Sequence, residues 1–179
     1  MQQGIVAGIH IAGAARKPMQ SLESVVAVRD KGLEGDRYFD AQGSFFKNEC
    51  TRPDREMTLI EQEALEALQR DYNIELSGAE SRRNIVTTGV SLNHLVDREF
   101  TVGAARLRGI RLCEPCGHLE RLTGRKLKGL THRGGLRAQI VEGGEIRIGD
   151  PVVELATKPK IQFSREFLEI LDCLGGEAQ

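Results

Sequence analysis

Gly134-Gly135-Leu136-Arg137-Ala138-Gln139-Ile140-Val141-Glu142-Gly143-Gly144-Glu145-Ile146-Arg147-Ile148-Gly149-Asp150-Pro151-Val152-Val153-Glu154-Leu155 is the stretch that decides the fold. Glycine-bounded runs of this kind are too short for helices, so the segment reads as strands at Leu136 to Val141, Glu145 to Ile148 and Pro151 to Leu155. Gly143-Gly144 is the expected hairpin turn between the first two, and Gly149-Asp150 the turn into the third. Upstream, Ala105 to Leu112 alternates apolar residues with Arg. Its phase slips at Gly109, since Leu107 is odd-numbered and Ile110 and Leu112 are even; a bulge there would restore one apolar face.

Further strands are expected at Gly4 to Ile11, at Ser24 to Arg29, from Arg82 to Gly89 and near Phe100 to Val102, with short helical turns at Ser91 to Leu95 and His118 to Leu122. Gly32 to Arg37 reads as a turn and residues 40 to 56 as a long irregular loop. One longer helix is expected from about Leu59 to Tyr72. Thr58 and Glu61 have capping-box spacing, and Ile60, Ala64, Leu65, Leu68 and Tyr72 form a stripe. Many short strands, glycine turns and one long helix indicate a mainly β fold, a closed or nearly closed antiparallel barrel with a few helices. The barrel is expected over residues 1–156. Residues 157–179 read as a helical tail whose stripe at Phe167, Ile170, Leu171 and Leu174 docks on the barrel or forms a homodimer.

The chain has 179 residues, 40% of them hydrophobic and 28% charged, which suits one soluble domain with its own core. No signal pattern opens it, and no apolar run reaches the roughly 18 residues of a membrane helix, so a cytoplasmic location without membrane contact is expected. Reduced thiols follow from that location. Net charge is −1, yet nine Lys or Arg residues lie between Arg106 and Arg137 against two acids, Glu114 and Glu120. An anionic, phosphorylated ligand accounts for such an excess beside a chemical motif. Aromatics make up only 4% of the chain, which argues against nucleic acid.

That motif is Cys113-Glu114-Pro115-Cys116-Gly117-His118. Its thiols admit three uses: a structural metal, a dithiol centre, or a single thiolate that ligates a metal or acts as a nucleophile. A tetrahedral zinc site would need two more ligands, which only His118 and His132 offer nearby. The Glu-Pro centre is like that of thioredoxins, but that motif belongs between parallel strands and the flanking runs read as antiparallel. Asn84, where a strand begins, has an amide able to donate and accept at a heteroaromatic ring edge.

Taken in order, Gly32-Leu33-Glu34-Gly35-Asp36-Arg37, Arg82-Arg83-Asn84-Ile85 with Gly89, Gly103, Cys113-Glu114-Pro115-Cys116, and His132-Arg133-Gly134-Gly135-Leu136-Arg137-Ala138 with Gly149-Asp150 resemble the MOSC domain, named after the C-terminal domain of molybdenum cofactor sulfurase. The resemblance implies a pyruvate-kinase-like β-barrel and a thiol that ligates molybdenum in the pterin cofactor (molybdopterin) or carries sulfur to it. It matches the metal-ligating, catalytic cysteine to Cys116. It also gives Arg82, Arg83, Asn84, Asp36, Arg37, His132 and Arg133 as cofactor-binding candidates. Tyr38 stands where bacterial relatives often have histidine. The implied chemistry is reduction of N-hydroxylated bases or amines with electrons from a separate redox protein. The alternative is a non-catalytic carrier of cofactor or sulfur for a partner molybdoenzyme or sulfurase.

Overall fold

Period-two burial organises the molecule. In β1 (Gln3–Ile11), Gly4 and Val6 are buried while Gln3, Ile5 and Ala7 face out, and past a register shift between Val6 and Gly8 the alternation resumes with Ile9 and Ile11 buried; β7 (Glu99–Val102) buries Phe100 and Val102 between partly exposed neighbours. The computed structural model describes residues 3–40, 42–43 and 53–156. The expected tail helix, Cys50, Cys173 and much of the irregular segment from 40 to 56 lie outside them.

Seven strands close into a barrel. Around the ring run β1, β11 (Pro151–Glu154), β7, β8 (Ala105–Leu112), β9 (Leu136–Glu142), β5 (Met57–Glu61) and β6 (Ile85–Thr88), which pairs with β1 again. Closure satisfies the backbone groups an open sheet would leave at its edges. β1 is long enough to serve three partners, meeting β11 over Gln3 to Ile5, β6 over Ile5 to Ile9, and the short β2 (Gln20–Leu22) over Ile9 to Ile11. All pairings in the ring are antiparallel except β5 with β6, which are parallel. Phe100, Leu107, Leu59, Ile9 and Met57 fill the interior, each fully buried. Each such side chain contributes about 1.5–3 kcal/mol.

The parallel pair explains one departure from the sequence reading. The helix expected from Leu59 begins only at Gln62: α1 spans Gln62–Tyr72, and Met57 to Glu61 is the strand before it. Ile60 does pack with Ala64, Leu65 and Leu68, as the stripe required, but it does so from the end of β5, beneath the helix. Thr58 does not cap. Its hydroxyl donates to Asn84 Oδ1 at 2.9 Å, and the residue preceding the helix, Glu61, caps nothing with its side chain.

A second departure concerns the glycine pair at 143–144. Instead of a hairpin with β9, β10 (Gly144–Arg147) pairs with β3 (Ser24–Val28), which pairs with β4 (Gly32–Leu33), making a separate three-stranded sheet. A Cβ on Gly144 would lie 2.5 Å from the Ala104 backbone, so glycine serves close chain approach there. The bulge at Gly109 is present: register shifts between Gly109 and Arg111 against β9. No helix among the described residues is long and apolar enough to cross a membrane.

Glu56, just before β5, is buried and accepts the Ile140 amide at 2.9 Å. Burial, above all, pushes its carboxyl up to about 7. The folded state therefore keeps a proton that the unfolded chain releases near its ordinary value. Stability contributed by that proton is fully present below about pH 4.5 and is lost as pH rises to about 7, on the order of 3 kcal/mol. Glu56→Gln should flatten this dependence. Urea midpoints at pH 5 and pH 8 test it, and an equal fall in wild type and variant would contradict it.

Candidate functional site

Four loops converge near one end of the barrel, and each is fixed by buried hydrogen bonds. Asp36 is the hub. It is 3% exposed, and its carboxylate accepts from the Ala12 amide, the Tyr38 amide and Arg37 Nη1, each at 3.1 Å, and from Asn84 Nδ2 at 3.4 Å. The Gly32–Arg37 turn is thereby tied to the end of β1 and the start of β6. Asn84 completes the junction: its amide oxygen accepts from Thr58, and its Nδ2 donates to the His10 carbonyl at 3.2 Å. The ring-reading role suggested for Asn84 thus competes with a fully engaged amide.

Arg83 is also engaged in the fold. Only 6% exposed, it donates from Nε to the Gly134 carbonyl at 2.9 Å, from Nη1 to that of Ser81 at 2.9 Å, and from Nη2 to that of Cys113 at 2.7 Å. One guanidinium thus joins the start of β6, the Cys113 loop and the start of β9. Arg82 points differently. Its backbone is left-handed, φ 58°, and one nitrogen donates to the Lys17 carbonyl at 2.7 Å while the half-buried side chain borders a cleft. Burial, then the charge of Arg37, lowers its pKa.

The cleft is open at its mouth and encloses about 630 Å³, mouth included. Arg37, Arg55, Arg82, Arg83 and Arg137 contribute cations to its wall, and Cys116 and His118 stand on the segment between β8 and β9. Cys113 is buried and Cys116 exposed. Cys116 immediately precedes α2 (Gly117–Thr123), which is anchored by Leu119 in the cluster beneath α1. His118 is held below the usual imidazole range by burial first, then by Arg121, Arg16, Arg82 and Arg37. Arg37 stacks on the Tyr38 ring, 5.0 Å from its centroid, and donates to Met19 Sδ at 3.4 Å.

Arg37, Arg82, Arg83, Asn84 and Cys116 therefore share one cleft, with Asp36 bonded to Arg37 and Asn84 behind it. His132 and Arg133 do not line it. The His132 ring lies 3.2 Å from Glu114 and its side chain is 83% exposed, so it steadies the loop preceding Cys116, while Arg133 donates to the Gly129 carbonyl and to Asp71. The basic run is mostly occupied elsewhere: Arg106 pairs with Glu142, Arg111 with Asp54, and Arg125 with Glu80. Only Arg137 of that run lines the cleft. Arg55 was not legible because it lies inside the segment read as an irregular loop, residues 40 to 56. Arg137 lay in plain view inside the run, but nothing local marked it out.

The thioredoxin-like alternative loses its frame, because the motif joins two antiparallel strands, β8 and β9. Among the described residues no three of His, Cys, Asp or Glu converge to hold a metal ion, which removes the basis for a structural zinc site there.

The described residues thus form a seven-stranded β-barrel with one exposed thiol at a cation-lined cleft. The family model for the MOSC domain matches residues 46–153, more than half the chain, and the chain belongs to that family, which is associated with molybdenum cofactor. Solved structures agree in fold. YuaD from Bacillus subtilis superposes with a TM-score of 0.73 at 13% identity, over 87% of this chain and 97% of that one. YiiM from Geobacillus stearothermophilus gives 0.62 at 14% identity, over 86% and 75%, and YiiM from Escherichia coli 0.61 at 16%, over 86% and 70%. No curated protein matches the sequence.

Proposed function

We propose that the cleft binds molybdenum cofactor with Cys116 as metal ligand, and that the chain reduces N-hydroxylated bases or amines there. The supporting observation is that Cys116, the one exposed thiol among the described residues, shares a cleft with five arginines. The donor set fits such a group. A soft thiolate suits a molybdenum bond, and planar guanidinium forks suit a phosphate. Among the described residues two buried guanidinium nitrogens have no hydrogen-bond partner, Arg106 Nε away from the cleft and Arg137 Nε on a residue that lines it, where an anionic oxygen would supply one. An unmet buried donor costs about 1–3 kcal/mol, so filling it favours ligand binding.

When bound, molybdenum supplies the oxygen-atom and two-electron chemistry. The chain's own residues hold and orient: Arg82 and Arg137 present N–H groups to the cofactor's anionic end, Asp36 fixes Arg37, and Arg83 fixes the carbonyl of Cys113. Converting N–OH to N–H takes two electrons and two protons and releases water. A separate redox protein is the electron donor in this reading.

Expression in a cofactor-competent host, followed by metal analysis and a reduction assay with an artificial electron donor, tests the proposal. Bound molybdenum with turnover of a hydroxylamine supports it, whereas bound molybdenum without turnover points to a carrier. Arg82→Ala should weaken cofactor retention by about 1.5–3 kcal/mol, the range for a hydrogen bond to a charged group. An unchanged retention would remove Arg82 from the site.

A further inference from the structure

Behind Arg82 lies a second depression that the reading above does not use. Its walls are apolar, formed by Pro18, Met19, Ala79 and Leu122, and its charged groups are Arg16, Arg82, Arg125 and Glu80. Arg82 lines both this groove and the cleft, so the two share a wall. The charges do not balance. Glu80 pairs with Arg125 at 2.7 Å, while Arg16 and Arg82 form no ion pair with a carboxylate among the described residues.

Backbone geometry singles out the same two arginines. Among the described residues six non-glycine ones have left-handed φ; three are Asp30, Asn73 and Asp97, of the types that tolerate it. Of the other three, Arg16 at 65° and Arg82 at 58° both line the groove. Glycine would make these turns with less strain, so what arginine adds is its guanidinium.

We infer that the groove is a second anion subsite, taking the phosphate ester of the substrate, so that the favoured substrate is an N-hydroxylated base carried as its nucleoside monophosphate. This rests on the reductase reading. The cofactor's single terminal phosphate accounts for the cations of the cleft, and the second cation cluster calls for a second anion. Pro18, Met19 and Leu122 offer the apolar surface that a sugar or base face needs. A nucleotide extension of the cofactor would present the same chemistry, and the experiment separates the two sources.

The experiment uses wild type, Arg16→Gly and Leu122→Glu, neither of which touches the cleft. Arg16→Gly removes the guanidinium and relieves the turn. Calorimetry on cofactor-free protein measures binding of cytidine and adenosine monophosphates, the matching nucleosides and inorganic phosphate. We expect each monophosphate to bind wild type at least about tenfold more tightly than its nucleoside, and both variants to lose that advantage with an unlowered melting temperature. In loaded enzyme, Arg16→Gly should lower kcat/KM about tenfold for an N-hydroxylated nucleoside monophosphate while leaving that for the free nucleoside unchanged, whereas Leu122→Glu should lower both. Turnover of the nucleoside with no gain from phosphate in wild type would overturn the subsite and leave the reductase reading standing. Failure to reduce any N-hydroxylated compound despite bound molybdenum would sink both. A nucleotide-extended pterin released from wild type but absent from Arg16→Gly would assign the groove to the cofactor and overturn its assignment to substrate.

Discussion

Cys116→Ser should leave the purified protein with less than about a tenth of the wild-type molybdenum, whereas Cys113→Ser should keep most of it, because a neutral hydroxyl is a poor substitute for a soft thiolate. The asymmetry follows from placement. Cys116 is exposed on the cleft, at the residue before α2, while Cys113 is 3% exposed, with its amide bonded to the Gly135 carbonyl and its own carbonyl held by Arg83. The expected cost of Cys113→Ser is a small loss of stability from a buried hydroxyl, about 1–2 kcal/mol. Metal content per folded chain, with unfolding curves alongside, distinguishes the two. Equal metal loss from both variants would mean that the two sulfurs act together.

Arg83→Ala should be the most destabilising change near the cleft, by about 3–5 kcal/mol, since it removes a buried charged group and orphans its partners. Three carbonyls on three separate segments, those of Ser81, Cys113 and Gly134, lose their donor together. Arg83→Lys should recover little of this, because an ammonium cannot span the geometry of a guanidinium fork. Arg82→Gly should do the opposite, holding or raising stability by relieving a left-handed arginine while impairing ligand binding. Urea unfolding of the three variants provides the check. A loss below about 1 kcal/mol for Arg83→Ala would show that its bonds are dispensable to the fold and free the side chain to act as an anion clamp.

How much of this was legible depends on the range of the interaction involved. Barrel strands announced themselves through glycine-bounded apolar runs, and the phase slip at Gly109 marked a bulge that the register confirms. The β5 strand was hidden because Ile60 buries itself with Ala64, Leu65 and Leu68 whether it belongs to helix or strand. The partner of β10 was invisible for a different reason. Two adjacent glycines permit a turn and also permit close passage of a distant chain, and only the fold decides that Gly144 passes Ala104.

The same limit applies to the site. Motif order gathered Arg37, Arg82, Asn84 and Cys116, which do meet at one cleft. Neighbouring arginines at 82 and 83 looked equivalent in sequence and both line the cleft, yet Arg82 gives one bond to a carbonyl while Arg83 is committed to the carbonyls of residues 81, 113 and 134. Charge counting found an excess of the correct sign but placed it on the wrong residues. Arg106, Arg111 and Arg125 meet carboxylates remote in sequence, and Arg37, Arg55 and Arg82 come from segments the count did not cover.

The most direct test of the account is the molybdenum and pterin content of wild-type protein purified from a host able to make the cofactor, set beside protein from a host that cannot. The account predicts near-stoichiometric metal and pterin in the first, neither in the second, and equal folding in both. Folded protein without molybdenum or pterin from the competent host, with or without disulfide reductase activity at Cys113 and Cys116, would contradict it.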